Sequence, residues 1–477
     1  MPLRSLAFLL YFFGSSTAAF VYPMVGLVCY VVLYHVYPQT TWWGSALEPL
    51  GIRYAFVCGA CLLIGAVLNA GRMRLGRHPL HVVEAGVIVV YLSMLLSLAT
   101  GVGPNTQTAM IVDKMGKIVL FLLVMSHVVV SRHRLWILTV ILTVMTLYLG
   151  HEAKIAPPGA FLQNRLDGIG GPDFHESAGL AIHLCALMPF VAIVLRHKHW
   201  LCRLTAFFAA GYGTNAILLC RARSAFVAAI VAGLAALWYV PRRFRMWVAG
   251  MLVVAAAGGF FLSDSWFWKR MDTIVVADQE QRDQSSAIRF LIWSAAWDMF
   301  KANPLGVGVG QFQFQVKRYN EELENINRDA HNSFILCMGE TGAPGLVAYL
   351  TTLLLSWVTL NRTSRLVRSN LADGEPFEWL VLANRLALIV YLVAGLFVSR
   401  FYTEGMWWLI ILPVCLLRAV ENEIKQELRE EAAVEQAAAA WACTLRPVRP
   451  QLLTGNATSA RSDASRGVAC QGQLGGL

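Results

Sequence analysis

The stretch "DAHNSFILCMGETGAPGLVAYL", Asp329 to Leu350, places His331 and Glu340 where a polar segment gives way to an apolar run. An imidazole titrates near neutral pH and can accept the proton of an attacking hydroxyl. A lone histidine more often serves structure, so its neighbours matter. Asn332 adjoins it, and Glu340, about two helical turns on, can either orient His331 or support the helix. Arginines supply a second chemistry. Arg221 and Arg223 open an apolar run in "CRARSAF", Arg289 sits in "IRFLIW", and Arg400 sits in "VSRFYTEG". Each alone fits a residue whose charged head snorkels to the interface. Together with His331 on one face, they suit an anionic ligand that guanidinium groups grip bidentately, such as phosphate or pyrophosphate. Lys117 joins this set if a lysine of "DKMGK" faces the same polar cavity. The other reading is a self-neutralising pair with Asp113, four residues earlier. His175 and Glu176 read as charge and capping at a helix start, and His183 as a packed core histidine.

Such residues need a scaffold. The chain of 477 residues is 57% hydrophobic and only 14% charged, with a mean hydropathy of +0.55. Soluble domains carry about 25% charged residues, so the expected class is all-α, a polytopic membrane protein. Apolar runs at 6–20, 22–37, 54–70, 80–98, 109–130, 135–150, 177–195, 204–220, 224–240, 246–263, 333–360, 380–398 and 406–418 predict twelve or thirteen spans. The first two flank Pro23 and are either two spans or one broken helix.

Connections alternate in charge. One set holds Arg72, Arg74, Arg77, Arg132, Arg134, Arg196, Lys198, Arg203, Arg242, Arg243, Arg245, Arg362, Arg365 and Arg368. The other short set holds only Arg53, Lys154, Arg165, Arg221, Arg223 and Arg400. The positive-inside rule puts the rich set in the cytoplasm and His331 with the four arginines on the far side. The chain divides into N-terminal membrane helices (1–263), a large outer loop (264–332), C-terminal membrane helices (333–418) and a cytoplasmic tail (419–477). The tail is expected to be a charged helix over 421–442 and disordered over 446–477. Within the outer loop, "SSAIRFLIWSAAWDMFKANP" predicts an interfacial helix with Arg289, Trp293 and Trp297 on one face, ended by Asn303-Pro304.

Weaker signals resolve to structure. Gly306, Gly308 and Gly310 imitate a nucleotide loop but follow a helix, so a turn is expected. Cys58 and Cys61 lack a second ligand pair and read as helix packing. Residues 1–20 resemble a signal peptide, yet the apolar character resumes at once, and an uncleaved first span is expected. The net charge of +10 sits in short clusters between apolar runs, which excludes a nucleic-acid-binding face. No cofactor and no metal is implied.

In order, "RARSAF", "IRFLIWSAAWDMFKANPLGVGVGQF" and "AHNSFILCMGETGAPGLVAYL" resemble motifs of the O-antigen ligase and polymerase superfamily. "GPDFHESAGLAIHLCALMP" resembles its acidic helix start. "YP" after the second span and "DKMGK" look most like the branch of O-glycosylation ligases associated with exosortase systems. Ala222 stands where the family usually has serine, and "FHES" replaces an asparagine after the acidic position. The resemblance spans about residues 1–418. It implies a bacterial inner-membrane enzyme with its site facing the periplasm and a glycan donor on undecaprenyl pyrophosphate. The acceptor would be a polysaccharide, lipid A core or protein. Arg223 and Arg289 are similar to arginines that hold the pyrophosphate, and His331 would activate the acceptor hydroxyl. The rival class is a transporter or flippase for lipid-linked sugars, which usually shows repeated halves and midplane charges. No repeat is evident here.

Overall fold

The computed structural model describes residues 3–44, 51–71, 79–275, 279–323 and 329–444. Arg72, Arg74, Arg77 and the 446–477 tail lie outside them. The chain forms two units, Met1–Gln426 and Glu427–Leu477. The second is described only as the helical end of the last element, which runs on to Thr444.

The fold is all-α. The helices of the first half are α1 (Leu3–Ala18), α2 (Pro23–Val36), α3 (Tyr54–Leu68), α4 (Val82–Thr100), α5 (Thr106–Val128), α6 (Arg132–Lys154), α7 (Ser177–Leu195) and α8 (Trp200–Cys220). Those of the second half are α9 (Arg223–Tyr239), α10 (Arg245–Leu262), α11 (Ser265–Val275), α12 (Gln279–Ala302), α13 (Phe312–Gln315), α14 (Ser333–Asn370), α15 (Glu375–Gly395) and α16 (Glu404–Thr444). A two-residue hairpin, β1 (Phe161–Leu162) with β2 (Arg165–Leu166), precedes α7. Every interval expected to be an apolar span carries a helix. The first two are separate helices, with Pro23 in the opening turn of α2, where its missing N–H costs nothing.

Among the described residues, six helices are long and apolar enough to cross a membrane: Val82–Thr100, Arg132–Lys154, Ser177–Leu195, Arg242–Leu262, Ser333–Asn370 and Glu375–Gly395. Three more, Pro23–Val36, Tyr54–Leu68 and Arg223–Tyr239, are apolar but shorter. The chain is a multi-pass membrane protein. Its outward surface agrees, since α10 leaves Val253, Val254, Phe260 and Phe261 exposed. Such a stripe would aggregate in water and is at ease in lipid. Polar residues inside the helices bond to their own backbone. The hydroxyls of Thr139, Thr143 and Thr146 each donate to the carbonyl four residues back at 2.8–2.9 Å.

Helices α7 and α15 form the centre. They pack on each other, α8 covers α6 and α7, α9 lies on α15, and α4 lies on α14. The two ends of the bundle differ in charge. Arg132–Asp373, Arg196–Glu375 and Arg368–Glu378 pair residues of the arginine-rich loops and their neighbours. At that end Arg418 of α16 also reaches Glu84 of α4 at 2.8 and 3.0 Å. The arginine-poor end carries the candidate residues.

Helix α14 is broken. Gly342 has φ +66° and ψ −164°, a conformation open only to glycine. A Cβ there would meet Pro304 O and the Leu305 carbonyl carbon at 2.4 Å. Replacing Gly342 with alanine is therefore expected to destabilise the protein by about 2 kcal/mol or more. Thermal unfolding in detergent should show a lower midpoint.

Candidate functional site

The broken helix determines what surrounds it. A helix that turns aside inside an apolar layer strands carbonyl oxygens. Here the "LGVGVGQF" turn supplies the donors. Val307 N donates to Gly339 O at 3.1 Å and Gly308 N to Glu340 O at 3.2 Å, while Ala343 N, past the break, donates the other way to Pro304 O at 2.8 Å. Ser97 of α4 also donates its hydroxyl to Glu340 O. Gly306, Gly308 and Gly310 have φ of +93°, +107° and +74°, which only glycine adopts freely. The triple glycine is thus a structural turn, as expected.

The Glu340 carboxylate belongs to the same clamp. It is buried and accepts from Phe312 N at 3.1 Å and from the Tyr402 hydroxyl. Burial, then the Glu340 carboxylate, hold Tyr402 well above the usual phenol range, so this hydroxyl stays protonated and donates. Of the two roles open to Glu340, these bonds describe support. The clamp fixes the turn that follows α12 against the helix that begins two residues after His331.

His331 has φ +47°, left-handed and strained for a side chain of its kind. That conformation costs about 1–3 kcal/mol and persists only where the surroundings impose it. Both sides impose it. Upstream, Trp293 of α12 donates its indole N–H to Ala330 O at 3.0 Å. Downstream, Asn332 caps α14, its side-chain oxygen accepting from Phe334 N and Ile335 N at 2.9 and 3.1 Å. Asn332 Nδ2 donates to Leu396 O at 3.2 Å, and Ser333 Oγ donates to Val398 O at 3.0 Å. The imidazole is half-buried.

Arg289 is half-buried on α12, one turn before Trp293 and on the same face. The indole bond to Ala330 therefore brings the Arg289 face to the His331 segment. Trp297, one turn further on along that face, is exposed, while Ile292, Ala295, Ala296 and Met299 turn into the core. Arg223 begins α9 and is half-buried. Three of the remaining candidates have carboxylate partners. Arg221, left-handed at the end of α8, pairs with Asp264. Arg400 pairs with Glu176 at 2.7 Å. Lys117 pairs with Asp113 at 2.5 Å, the self-neutralising reading, and lies over the Phe56 ring at 5.1 Å. A phosphate would have to displace an anion at each of the three.

Lys114 is the lysine of "DKMGK" that turns inward, to Asp173. Asp173 also accepts from the Tyr34 hydroxyl and Glu404 N, both at 2.9 Å. These bonds join α2, α5 and α16 at the candidate end of the bundle. His183 is buried, as expected, and is satisfied. Its Nδ1 meets Tyr391 Oη at 2.9 Å, and its Nε2 meets His35 Nε2 at 3.0 Å. His35 Nδ1 bonds Val31 O at 2.7 Å. A carbonyl only accepts, so Nδ1 of His35 carries the proton, Nε2 of His183 donates, and Tyr391 donates to His183. Glu176 makes no capping bond on α7. The first N–H of that helix, Ser177 N, is taken by Asp167 at 2.9 Å.

Residues 204–350 match the family described as O-antigen ligase. The chain carries an O-antigen ligase domain. No curated protein matches the chain. The O-antigen ligase region runs from α8 to the first half of α14 and contains Arg221, Arg223, Arg289, His331 and Glu340. Glu176, Arg400, Tyr402 and Ser97 come from outside it. Sequence reasoning allowed for an inward lysine in "DKMGK" but missed its partners Asp173 and Tyr34, and it missed Tyr402 and Ser97. Tyr402 lies two residues from the arginine singled out in "VSRFYTEG", and this was its only signal. Replacing Tyr402 with phenylalanine should leave the buried Glu340 carboxylate short of a donor. A loss of about 1–3 kcal/mol is expected, read as a lower unfolding midpoint with helical content unchanged.

Proposed function

We propose that this protein is a membrane glycan transferase that moves a glycan from undecaprenyl pyrophosphate to an acceptor hydroxyl at the periplasmic face of the bacterial inner membrane. The observation that carries the reading is the Trp293–Ala330 bond, which brings the arginine-bearing face of α12 to His331 inside the family-matched region. In this reading Arg223 and Arg289 bind the pyrophosphate. Helices α7, α9 and α14 direct their N-termini to the same end, and their dipoles favour an anion there. The acceptor oxygen attacks the anomeric carbon, the bond from that carbon to the pyrophosphate oxygen breaks, and undecaprenyl pyrophosphate leaves with the electron pair. His331 takes the hydroxyl proton. The leaving group is a weak base, so arginine charge is sufficient stabilisation. The acceptor is a growing polysaccharide, lipid A core or a protein. The "YP" and "DKMGK" stretches favour the exosortase-associated branch.

Purified protein in detergent, given the lipid-linked glycan of its host, should release undecaprenyl pyrophosphate. His331→Ala should lower the rate by about 100-fold or more. Equal rates would remove the imidazole from the chemistry. Arg289→Ala and Arg223→Ala should raise KM for the donor about tenfold, the equivalent of one lost charge-assisted contact. A ladder of longer lipid-linked glycans would identify a polymerase. Release without a ladder would point to lipid A core or protein as acceptor.

A further inference from the structure

Arg400 lies outside the family-matched region and is almost completely buried, at 7% exposure. Its guanidinium is held by Glu176 at 2.7 Å, and its backbone N–H donates to Ser333 Oγ at 2.8 Å. With Asn332 Nδ2 to Leu396 O and Ser333 Oγ to Val398 O, three hydrogen bonds join residues 396–400 to the two residues after His331. The guanidinium also packs on the first turn of α7, where a Cβ on Gly179 would come within 2.7 Å of Nη1. Arg400 thus ties the start of α7 to the downstream side of a histidine in a left-handed conformation.

We propose that Arg400 is a positioning residue that sets the geometry of His331 through Ser333, with Glu176 as its anchor on α7. The proposal rests on the transferase reading for its kinetic consequence but not for its structural one. A ligand role is the less economical use of this side chain. A donor phosphate would first have to displace Glu176 from a buried guanidinium, whereas Arg223 and Arg289 are half-buried. The Glu176 side chain is 75% exposed and Arg400 only 7%, so water screens the pair from one side only. Variants that keep their fold should lose alignment.

The experiment compares wild type with Arg400→Ala, Arg400→Lys and Glu176→Gln, each checked for intact folding by its thermal midpoint. Arg400→Ala should lower kcat about tenfold or more, as misplacement of a reacting group does, with KM for the donor unchanged. Arg400→Lys, which can still meet Glu176, should recover part of the rate. Arg400→Ala combined with Glu176→Gln should be no worse than Arg400→Ala alone. A raised KM with unchanged kcat would overturn the proposal and return Arg400 to the donor site. Labelling by diethyl pyrocarbonate, followed by mass spectrometry, separates the two readings without turnover. The rate at His331 should change at least twofold in Arg400→Ala and Glu176→Gln, while exposed His151 stays constant. An unchanged His331 rate would overturn the proposal. A changed rate in a protein that releases no undecaprenyl pyrophosphate would keep the positioning role and sink the transferase.

Discussion

A helix that breaks inside an apolar layer must find donors for the oxygens it releases, and this constraint organises the molecule. Gly342 breaks α14, and the carbonyls of Gly339 and Glu340 are met by the turn of alternating glycines. That turn is in reach because α12 stops at Asn303-Pro304 and delivers it there. The Glu340 side chain then closes on Phe312 N and Tyr402. One break therefore fixes the end of α12, the loop after α15 and the beginning of α14. His331 lies between these three.

The same arrangement separates charges that work from charges that hold. Buried cations in a membrane protein invite assignment to a ligand, but a carboxylate partner also makes such a cation a tie between elements. Arg221, Arg400 and Lys117 are answered by Asp264, Glu176 and Asp113. Arg223 and Arg289 are half-buried. Both lie within residues 204–350, the region that matches O-antigen ligase.

Local signals were the legible ones. Asparagine before proline ended α12, three glycines two residues apart made a turn, and Asp113 met Lys117 one turn later. Apolar runs located the helices, because lipid demands long uncharged stretches. Their lengths were less legible. Among the described residues, six helices are long and apolar enough to cross a membrane by themselves, and shorter ones such as α2 and α3 pack on each other. Pairs far apart in sequence were not legible. Arg400 and Glu176 are 224 residues apart, and Tyr402 and Glu340 are 62 apart. Nothing in the residues near Glu176 announces an arginine rather than a helix cap, because a carboxylate at a helix start suits both. Burial along α12 was not legible either. Spacing puts Arg289, Trp293 and Trp297 on one face, and the neighbours of α12 bury the adjoining Ile292–Met299 side.

The row of rings from Tyr391 through His183 to His35 has a direction. Each bond in it points towards Val31 O, and that oxygen has no hydrogen to pass on. A proton wire must be able to reverse all its bonds after each transfer, and this row cannot. This row is thus a dead end for protons. A membrane protein can carry histidines bonded in this way in its core without their short-circuiting the proton gradient across the bilayer.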